Sequence, residues 1–417
     1  MVHPKMQYTY IGIDSHKDTH TAYFMDFLFE KLGEISFDNR PSKFEAFLSD
    51  ALKLRQDGTR LLFGLEDISA YGRTLAIFLK DNGLAVKHTN ALLVARERKN
   101  QSATEKTDSF DAQCAARVLL SKFSELPDAE IHDRYWVLRT LVVRRTSLVN
   151  NKTALKHQLH NLLTQHYPNY RNYFTCIDGN GSLTFFMKYP SPSTLEGVTV
   201  EGLAELLRKP SRGAFGEAKA REILESLEDT TVHLQEMRDE TVRSIIRNIQ
   251  FNMDEIEQLE KSLAKLLTEF GCTLTSMTGV EVPTAAQMLS CIGDIRRFST
   301  PAKLAKYAGI APITYASGKK DTKFSNQRGN RELNSLFYGL AVRLVSNTGS
   351  PTGGTRKIIN PFFYNYYHRK QAEGKTKRQG LKCVQRRLVN IIWHMLANNV
   401  EYENPPMDDL PKITIVD

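Results

Sequence analysis

The stretch YTYIGIDSHKDTH, residues 8–20, decides the fold of the N-terminal part of the chain. Its first seven residues are rich in aromatic and β-branched side chains and end at Asp14, which is the pattern of a strand. Two segments of the same kind follow after short polar turns, THTAYFMD (19–26) and GEISFDN (33–39). Together they predict an antiparallel meander over residues 7–38.

Helices and strands alternate after this meander. Ser42 and Glu45 have the spacing of a capping box, which predicts the start of a helix carrying Phe44 and Phe47. The segments that follow are a strand (RLLFGLED, 60–67), a helix from Arg73 to Lys80, a short strand (GLAVKHTN, 83–90) and a helical region from about Ala91. This is the element order of an α/β RNase H-like (RuvC-like) domain, which we predict for residues 1–137.

Four carboxylates occupy positions that such a fold brings together. Asp14 and Glu66 end the first and fourth strands, and Asp108 and Asp111 share one face of a helix. Carboxylates gathered without basic partners repel one another unless a cation compensates. Oxygen ligands suit Mg²⁺ or Mn²⁺, and two such ions can stabilise both oxygens of a phosphoryl transfer. Taken singly, these residue types are also common as helix caps and solvated loop residues.

Bulk composition limits the class of protein. A chain of 417 residues predicts two or three structural units. The net charge of +9 favours a polyanionic partner, with a solvated basic surface as the alternative. Five scattered cysteines without a CxxC pair predict neither a disulfide framework nor a zinc site. We found no run of membrane-spanning length and no secretion signal, so we expect a cytoplasmic protein with no membrane partner.

The middle of the chain, residues 138–270, is predicted to form coiled-coil helices. Leucines recur every seven residues over 141–162, although Arg145 and Lys152 interrupt the partner positions. A second heptad runs over 242–263 and is broken by Glu260. Two such helices can pair antiparallel within one chain or join two protomers.

Three further segments complete the predicted organisation. Prolines and glycines predict a loop-rich insertion at about residues 166–222. Residues 271–400 are assigned to a mainly α-helical C-terminal domain, and residues 401–417 to a mobile, proline-broken tail.

A polar, basic loop is predicted between residues 315 and 330. It lies within GIAPITYASGKKDTKFSNQRGNRELNSLFY (309–338), and a hydroxyl in such a loop suits attack on a phosphodiester. A serine before a glycine is, however, also common in ordinary turns. The residues concerned are Ser317 and its basic neighbours Lys319, Lys320, Lys323 and Arg328.

Two other basic stretches are candidates for contact with nucleic acid. RERKN (96–100) precedes the Asp108 helix, and residues 362–387 mix aromatic with basic side chains, as in proteins where rings stack on bases. The alternative for 362–387 is a helix pair with core aromatics and solvated charges. The residues predicted to bind nucleic acid are Arg96, Arg98, Lys99, Arg369, Lys370, Lys377 and Arg378.

The ordered carboxylates, within IGID, GLEDISAYG and KTDSFDA, resemble the DEDD transposases of the insertion-sequence-110 family. GIAPITYASG and RGNRELNSLFY are similar to the family's C-terminal transposase domain. The resemblance implies that Asp14, Glu66, Asp108 and Asp111 bind divalent ions and that Ser317 is the recombination nucleophile. It also implies a composite site across subunits of a dimer or tetramer, and a structured non-coding guide RNA that pairs with donor and target DNA.

The leading prediction is therefore an RNA-guided DNA recombinase that moves an insertion sequence through a covalent serine–DNA intermediate. Four alternatives remain open. The chain could be a site-specific DNA invertase of the same chemistry, or a metal-dependent junction-resolving nuclease without serine catalysis. It could also be a non-catalytic nucleic-acid-binding scaffold. An actin-like or sugar-kinase ATPase is the fourth, although SHKD lacks the glycines of a phosphate loop.

Overall fold

The computed structural model of the chain describes residues 3–66, 71–101, 107–129, 133–227, 234–317, 320–324, 326, 329–348 and 357–403. The side chains of residues 314–323 lie outside this description. Two compact units are present, Met1–Trp136 and Val137–Asp417. Within the described ranges, no helix combines the length and apolar character that a membrane span requires.

A mixed β-sheet forms the centre of the first unit. Its strands are β1 (Tyr8–Ser15), β2 (Thr19–Met25), β3 (Lys31–Asp38), β4 (Arg60–Leu65) and β5 (Ala85–His88). They lie in the order β3-β2-β1-β4-β5; β1 to β3 form the predicted antiparallel meander, whereas β4 is parallel to both β1 and β5. The predicted meander and the β/α alternation after it are both observed.

Helices cover both faces of this sheet. They are α1 (Pro41–Lys53), α2 (Arg73–Asp81), α3 (Ala91–Asn100) and α4 (Asp108–Lys122). Ile11 and Ile13 of β1 pack with residues of α1 and α2, whereas Tyr10 packs with residues of α3 and α4. Because side chains alternate along a strand, the even-numbered residues of β1 face α4.

The start of α1 differs from its prediction. Arg40 is the N-cap and its side chain, which has no hydrogen-bond acceptor, makes no capping bond, and Pro41 occupies the first helical turn. The fixed φ of proline suits that position. Ser42 therefore lies inside the helix, where the predicted capping box with Glu45 cannot form.

Gly12 sets the distance between β1 and α4. A Cβ atom built on Gly12 would lie 2.2 Å from both the carbonyl oxygen of Ala112 and the amide nitrogen of Ala116. Both are backbone atoms of α4, so no side chain can move aside to accommodate a methyl group. The strand and helix are in direct backbone contact, and this contact holds the first turn of α4 near the end of β1.

We expect Gly12→Ala to lower the free energy of unfolding by about 3 kcal/mol or more, the upper range for overpacking a core. Urea denaturation monitored by circular dichroism measures the loss. The matched control is Gly339→Ala, in a helix interior with no atom within 4 Å of the added Cβ. That change should stabilise its helix by up to about 1 kcal/mol. Equal midpoints for the Gly12 variant and the parent would contradict the expectation.

Two long helices run through the second unit, α5 (Asp133–His166) and α10 (Gln235–Glu269). Arg145 Nε donates to Glu260 Oε1 at 2.8 Å, and Arg238 Nη1 donates to Gln165 Oε1 at 3.0 Å. These contacts join the early part of each helix to the late part of the other, so the helices are antiparallel. Two of the three charged residues that interrupt the heptads, Arg145 and Glu260, form an ion pair with each other, whereas Lys152 pairs with Asp178.

Residues 166–222 differ from the predicted loop-rich segment because short helices occupy much of them. These are α6 (Tyr170–Tyr173), α7 (Asn180–Lys188), a 3-10 turn (Pro192–Leu195), α8 (Val200–Arg208) and α9 (Glu217–Glu225). Their core is aromatic, includes Tyr167, Phe185 and Phe186, and continues into α5 and α10. We call this group of helices the aromatic module. The prolines occur where helices begin or end, which is where their missing N–H is tolerated.

Helices also dominate the C-terminal part. They are α11 (Val282–Ile292), α12 (Pro301–Tyr307), α13 (Arg331–Val345), α14 (Pro361–Ala372) and α15 (Lys377–Asn398). Three of them, α12, α13 and α14, pack against α15. Two small antiparallel strand pairs accompany the helices, β6 (Ile313–Ser317) with β7 (Lys320–Phe324), and β8 (Asn347–Thr348) with β9 (Lys357–Ile358).

The β6–β7 hairpin is anchored at its base by two glycines. Gly309 has φ +69°, and a Cβ on Gly329 would lie 2.2 Å from the Gly309 nitrogen, so the two backbones are in contact. Asn334 Nδ2 also donates to the Ala308 carbonyl at 2.8 Å. These contacts bring the two ends of the loop that contains Ser317 together.

Candidate active site

Asp14 lies at the edge of the sheet where the parallel strands end. It follows Gly12 by two residues on β1, so strand alternation directs it to the same face, towards α4. Thr107 caps α4 by accepting a hydrogen bond from the Phe110 amide at 3.2 Å, which fixes the start of the helix at Asp108. The Gly12 contact and this cap together bring the beginning of α4 to the end of β1.

His16 lies between the two carboxylates that meet at this edge. Its Nε2 is 3.1 Å from Asp14 Oδ2 and 3.3 Å from Asp108 Oδ1. One ligand atom from each of the three residues lies within 4.8 Å of the others. Asp14 is largely buried, with 13% of its side chain exposed, whereas Asp108 is 59% exposed. The group therefore has a buried side and a side open to solvent.

The pKa of Asp14 is raised above its ordinary value. Burial is the main cause; His16 opposes the rise, and Asp111 and Asp108 add to it. A buried carboxylate close to two others is destabilised in its ionised form, and a bound cation would offset this cost.

Asp111 has a different partner. Arg98 of α3 donates from Nη1 to Asp111 Oδ1 at 2.5 Å, and the Asp111 side chain is only 11% exposed. The prediction that the carboxylates gather without basic partners is wrong, because both Arg98 and His16 contact the acidic group. Arg98, which the sequence predicts to bind nucleic acid, forms an ion pair with Asp111 within the site.

Glu66 immediately follows β4. Ile13 is paired with Leu65, so Asp14 and Glu66 each lie one residue beyond that pair on adjacent parallel strands. The backbone carbonyl of Glu66 is 3.1 Å from His88 Nε2. Among the described residues, the compact ligand group consists of Asp14, His16 and Asp108, and neither Glu66 nor Asp111 is part of it.

His16 is the residue that sequence reasoning missed. The signal was present in SHKD, where a histidine follows the strand-terminal aspartate by two residues. That tetrapeptide lacks the glycines of a phosphate loop, whereas its histidine is a candidate ligand beside Asp14. A strand-terminal aspartate followed closely by a histidine is a stronger indication of a ligand pair.

The donors suit a divalent ion. Two carboxylates and one imidazole are within reach of a common centre, and the buried Asp14 has a raised pKa that a cation would relieve. Mg²⁺ prefers oxygen donors, whereas an imidazole nitrogen is better tolerated by later divalent ions.

We expect Asp14→Asn to raise the thermal midpoint in EDTA at pH 7, since asparagine removes a buried charge. The folded-state pKa of Asp14 is raised, so its protonation favours folding at low pH and this contribution is lost as the pH rises through that pKa. The advantage of the variant should therefore disappear in acid. Differential scanning fluorimetry at several pH values measures it.

Adding Mn²⁺ to the parent and to the Asp14→Asn variant tests whether the ion binds at Asp14. An ion that binds only the folded state stabilises it by about 2.7 kcal/mol at a hundred times its Kd. The parent should gain stability and the Asp14 variant much less. An equal gain in both proteins would mean that the ion binds elsewhere.

Ser317 is the last residue of β6 and is paired with Lys320 across the hairpin. It therefore lies at the end of the hairpin opposite the glycine-anchored base. Lys320 and Lys323 belong to β7 as backbone positions, and their side chains, like that of Ser317, lie outside the described set. Lys319 and Arg328 lie outside the described residues altogether.

The other predicted basic residues lie on helix surfaces. Arg96, Lys99, Lys377 and Arg378 are exposed. Lys370 pairs with Glu373 at 2.7 Å, and the Arg369 guanidinium lies over the Tyr366 ring. Nearby, Phe362 and Phe363 are buried, so these two aromatics belong to the core and cannot stack on bases.

Two family profiles match the chain in the same order as the two sequence patterns. The first profile matches residues 11–168; it is of the IS110 DEDD type and is described as a transposase. The other, described as the transposase IS116/IS110/IS902 family, matches residues 272–355. The chain belongs to this family of insertion-sequence transposases, which are enzymes that cleave and rejoin DNA.

Relatives of similar length support this assignment. The chain is 25% identical over 402 residues to the uncharacterized 43.6 kDa protein of insertion element IS110 from Streptomyces coelicolor, covering 95% of each chain. It is 24% identical to the uncharacterized 44.8 kDa protein of insertion element IS116 from Streptomyces clavuligerus, covering 93% of this chain and 94% of the relative. A shorter match, 29% over 167 residues, links 37% of this chain to 48% of the pilin gene-inverting protein of Moraxella bovis.

Proposed function

We propose that this transposase cleaves and exchanges DNA strands through a covalent ester between DNA and Ser317, assisted by a divalent ion at the carboxylate site. The observation that carries the proposal is the meeting of Asp14 and Asp108, distant in sequence, at one sheet edge in a member of a transposase family. The chain is proposed to act in transposition of an insertion sequence.

The first unit is proposed to be an RNase H-like, RuvC-like domain. The sheet order β3-β2-β1-β4-β5, with an antiparallel meander followed by parallel strands, supports this assignment. In such a domain Asp14, Glu66, Asp108 and Asp111 would hold Mg²⁺ or Mn²⁺. The register of β1 and β4 supports a role for Glu66 beside Asp14, and the imidazole of His16 would be available as a further donor.

The bound ion would supply electrostatic stabilisation of the charge that develops on the phosphate oxygens. The residues themselves have separate tasks. Ser317 Oγ attacks phosphorus and forms the ester, while the bond to one sugar oxygen breaks. Attack of a sugar hydroxyl from another strand on that ester rejoins DNA and frees the serine. Because one phosphate ester replaces another, no external energy source is needed.

Serine needs help to lose its proton. We propose that the carboxylate site provides it, so that both units contribute to one composite active site, across subunits of a dimer or tetramer. A structured guide RNA that pairs with donor and target DNA is proposed as the source of sequence recognition. The net charge of +9 supports a polyanionic partner of either kind.

The test uses the full-length protein purified with its bound RNA and labelled DNA carrying the ends of its own element. The expected result in Mn²⁺ is a protein–DNA adduct that survives denaturing electrophoresis, together with a recombinant joint. Cleaved DNA with free ends and no attached protein would instead indicate a hydrolytic, junction-resolving nuclease. Recombination that survives ribonuclease treatment would exclude the guide RNA.

Site-specific inversion is the second candidate function, because the chain is similar over 167 residues to a pilin gene-inverting protein. A single plasmid carrying two sites in inverted orientation separates the two activities. Inversion of the intervening segment without movement to a second plasmid would favour the invertase. Movement to a second plasmid favours the transposase.

A further inference from the structure

A polar cleft lies at the base of the β6–β7 hairpin. Its volume is about 530 Å³, within the range of small-ligand sites. The contact between Gly309 and Gly329 forms part of its wall, where neither residue has a side chain to fill the space. Residues from successive turns of α13, together with Lys382 from α15, form much of the remaining wall.

One face of α13 lines this cleft. Arg331, Asn334, Ser335 and Tyr338 are spaced i, i+3, i+4 and i+7, so they form a continuous stripe along the helix. A polar stripe on a helix is most often a solvated surface. Here the stripe faces a recess together with Lys382 from another helix, which is an arrangement that a simply solvated face does not require.

The charge of the cleft is positive. Arg331 and Lys382 line it, and no aspartate or glutamate is among its lining residues. Neither cation forms an ion pair with a residue in the described part of the chain. Glu332, the acidic residue in the first turn of α13, pairs with Arg139 at 2.8 Å and so does not neutralise the cleft. The cleft therefore favours an anion.

Tyr338 gives the cleft an aromatic surface. Half of this residue is exposed, although Phe337 and Leu340 of the same helix are buried in the core. An accessible ring beside two cations is the combination that binds single-stranded nucleic acid, because the ring stacks on a base while the cations hold the phosphate. A base inside a duplex is already stacked on its neighbours, so an unpaired nucleotide fits best.

The cleft lies at the base of the hairpin that carries the proposed nucleophile. Ser317, the last residue of β6, lies eight residues along the chain from Gly309 of the cleft, which corresponds to about 26 Å of extended chain. A strand of several nucleotides held in the cleft can therefore extend to the far end of the hairpin.

We propose that this cleft binds an unpaired nucleotide and its phosphate at the base of the hairpin that carries Ser317, with Tyr338 stacking on the base and Arg331 and Lys382 binding the phosphate. The inference rests on the proposed action on DNA strands, but it does not require Ser317 to be the nucleophile. The nucleotide belongs either to DNA or to RNA, and the experiment separates these sources.

The experiment measures fluorescence anisotropy of the full-length protein with a labelled 12-nucleotide dT strand, an rU strand of equal length and a DNA duplex. Tyr338→Ala should weaken binding of at least one single strand about tenfold, and Tyr338→Phe should keep the affinity because the ring remains. Lys382→Gln should weaken the same strand and lower the slope of log K against log salt by about 0.7. The matched control is Lys303→Gln, an exposed lysine of α12 that does not line the cleft.

Loss confined to dT assigns the cleft to DNA, and loss confined to rU assigns it to RNA. Equal weakening of the duplex, or unchanged affinity for both strands in Tyr338→Ala and Lys382→Gln, would overturn the proposal. If the parent binds single strands and the substitutions leave the affinity unchanged, the cleft is rejected but the proposed function is not. A parent that binds no nucleic acid rejects the cleft and the proposed function together. Photocrosslinking of 4-thiothymidine or 4-thiouridine strands should label α13 in the parent and not in Tyr338→Ala.

Discussion

Replacing Ser317 with alanine is expected to abolish the protein–DNA adduct and to reduce strand exchange on the order of 10⁴-fold or more. Under the proposed chemistry the serine oxygen forms the ester, and alanine has no atom that can replace it. Ser317 is the last residue of β6 and alanine preserves its backbone pairing with Lys320, so the hairpin should persist. Denaturing electrophoresis of labelled DNA measures the adduct, and quantitative amplification of joints measures exchange.

A matched serine variant controls for general effects of the substitution. Ser262 is exposed on α10, and its hydroxyl only donates to the Gln258 carbonyl of the same helix. Ser262→Ala should leave adducts and joints unchanged. If Ser317→Ala forms both at the parental level, Ser317 is not the nucleophile and the hydrolytic alternative gains support.

Asp108→Asn is expected to reduce metal-dependent cleavage on the order of 10³-fold, which corresponds to about 4 kcal/mol of transition-state stabilisation. Asp108 is 59% exposed and its main neighbour at the site is His16, so the substitution should not unfold the domain. This separates a chemical role from a structural one better than a change at the buried Asp14. The measurements are the cleavage rate in Mn²⁺ and Mn²⁺ binding by isothermal titration calorimetry.

Asp57→Asn is the matched control for Asp108. It is exposed just before β4, at the opposite end of that strand from Glu66. Its cleavage rate and Mn²⁺ affinity should equal those of the parent. A normal rate in Asp108→Asn, with unchanged Mn²⁺ affinity, would remove Asp108 from the proposed site.

Much of the first unit was predictable because its signals are local. Alternating and continuous apolar runs identified the strands, and strand-terminal acids indicated the functional edge. The rule that parallel strands share an edge then brought Asp14 and Glu66 to adjacent positions. The start of α1 was mispredicted because Pro41 competes with Ser42 for the first turn, and the fixed φ of proline decided the outcome.

The partners of the carboxylates were harder to predict because they depend on packing. Arg98 lies thirteen residues before Asp111 on a different helix, and only the packing of α3 against α4 brings their side chains together. His16 is close to Asp14 in sequence, but its contact with Asp108 depends on the Gly12 approach to α4. A sequence pattern gives no distance for either contact.

The residues that interrupt the heptads in the second unit also have partners that the sequence pattern could not predict. Arg145 and Glu260 each reduced the regularity of an apolar repeat, and together they form an ion pair 115 residues apart in sequence. The aromatic module was missed for another reason. Its helices are too short for a clear periodicity, and prolines at helix ends are also typical of loops.

The length of α5 limits what the aromatic module can touch. Arg139, near one end of the helix, is tied to α13, while Tyr167, just beyond the other end, is buried in the module, and the two positions are about 40 Å apart along the axis. This span slightly exceeds the pitch of one helical turn of duplex DNA, about 34–36 Å. Within one protomer, a DNA duplex that runs from one end of α5 to the other must therefore span at least one full turn.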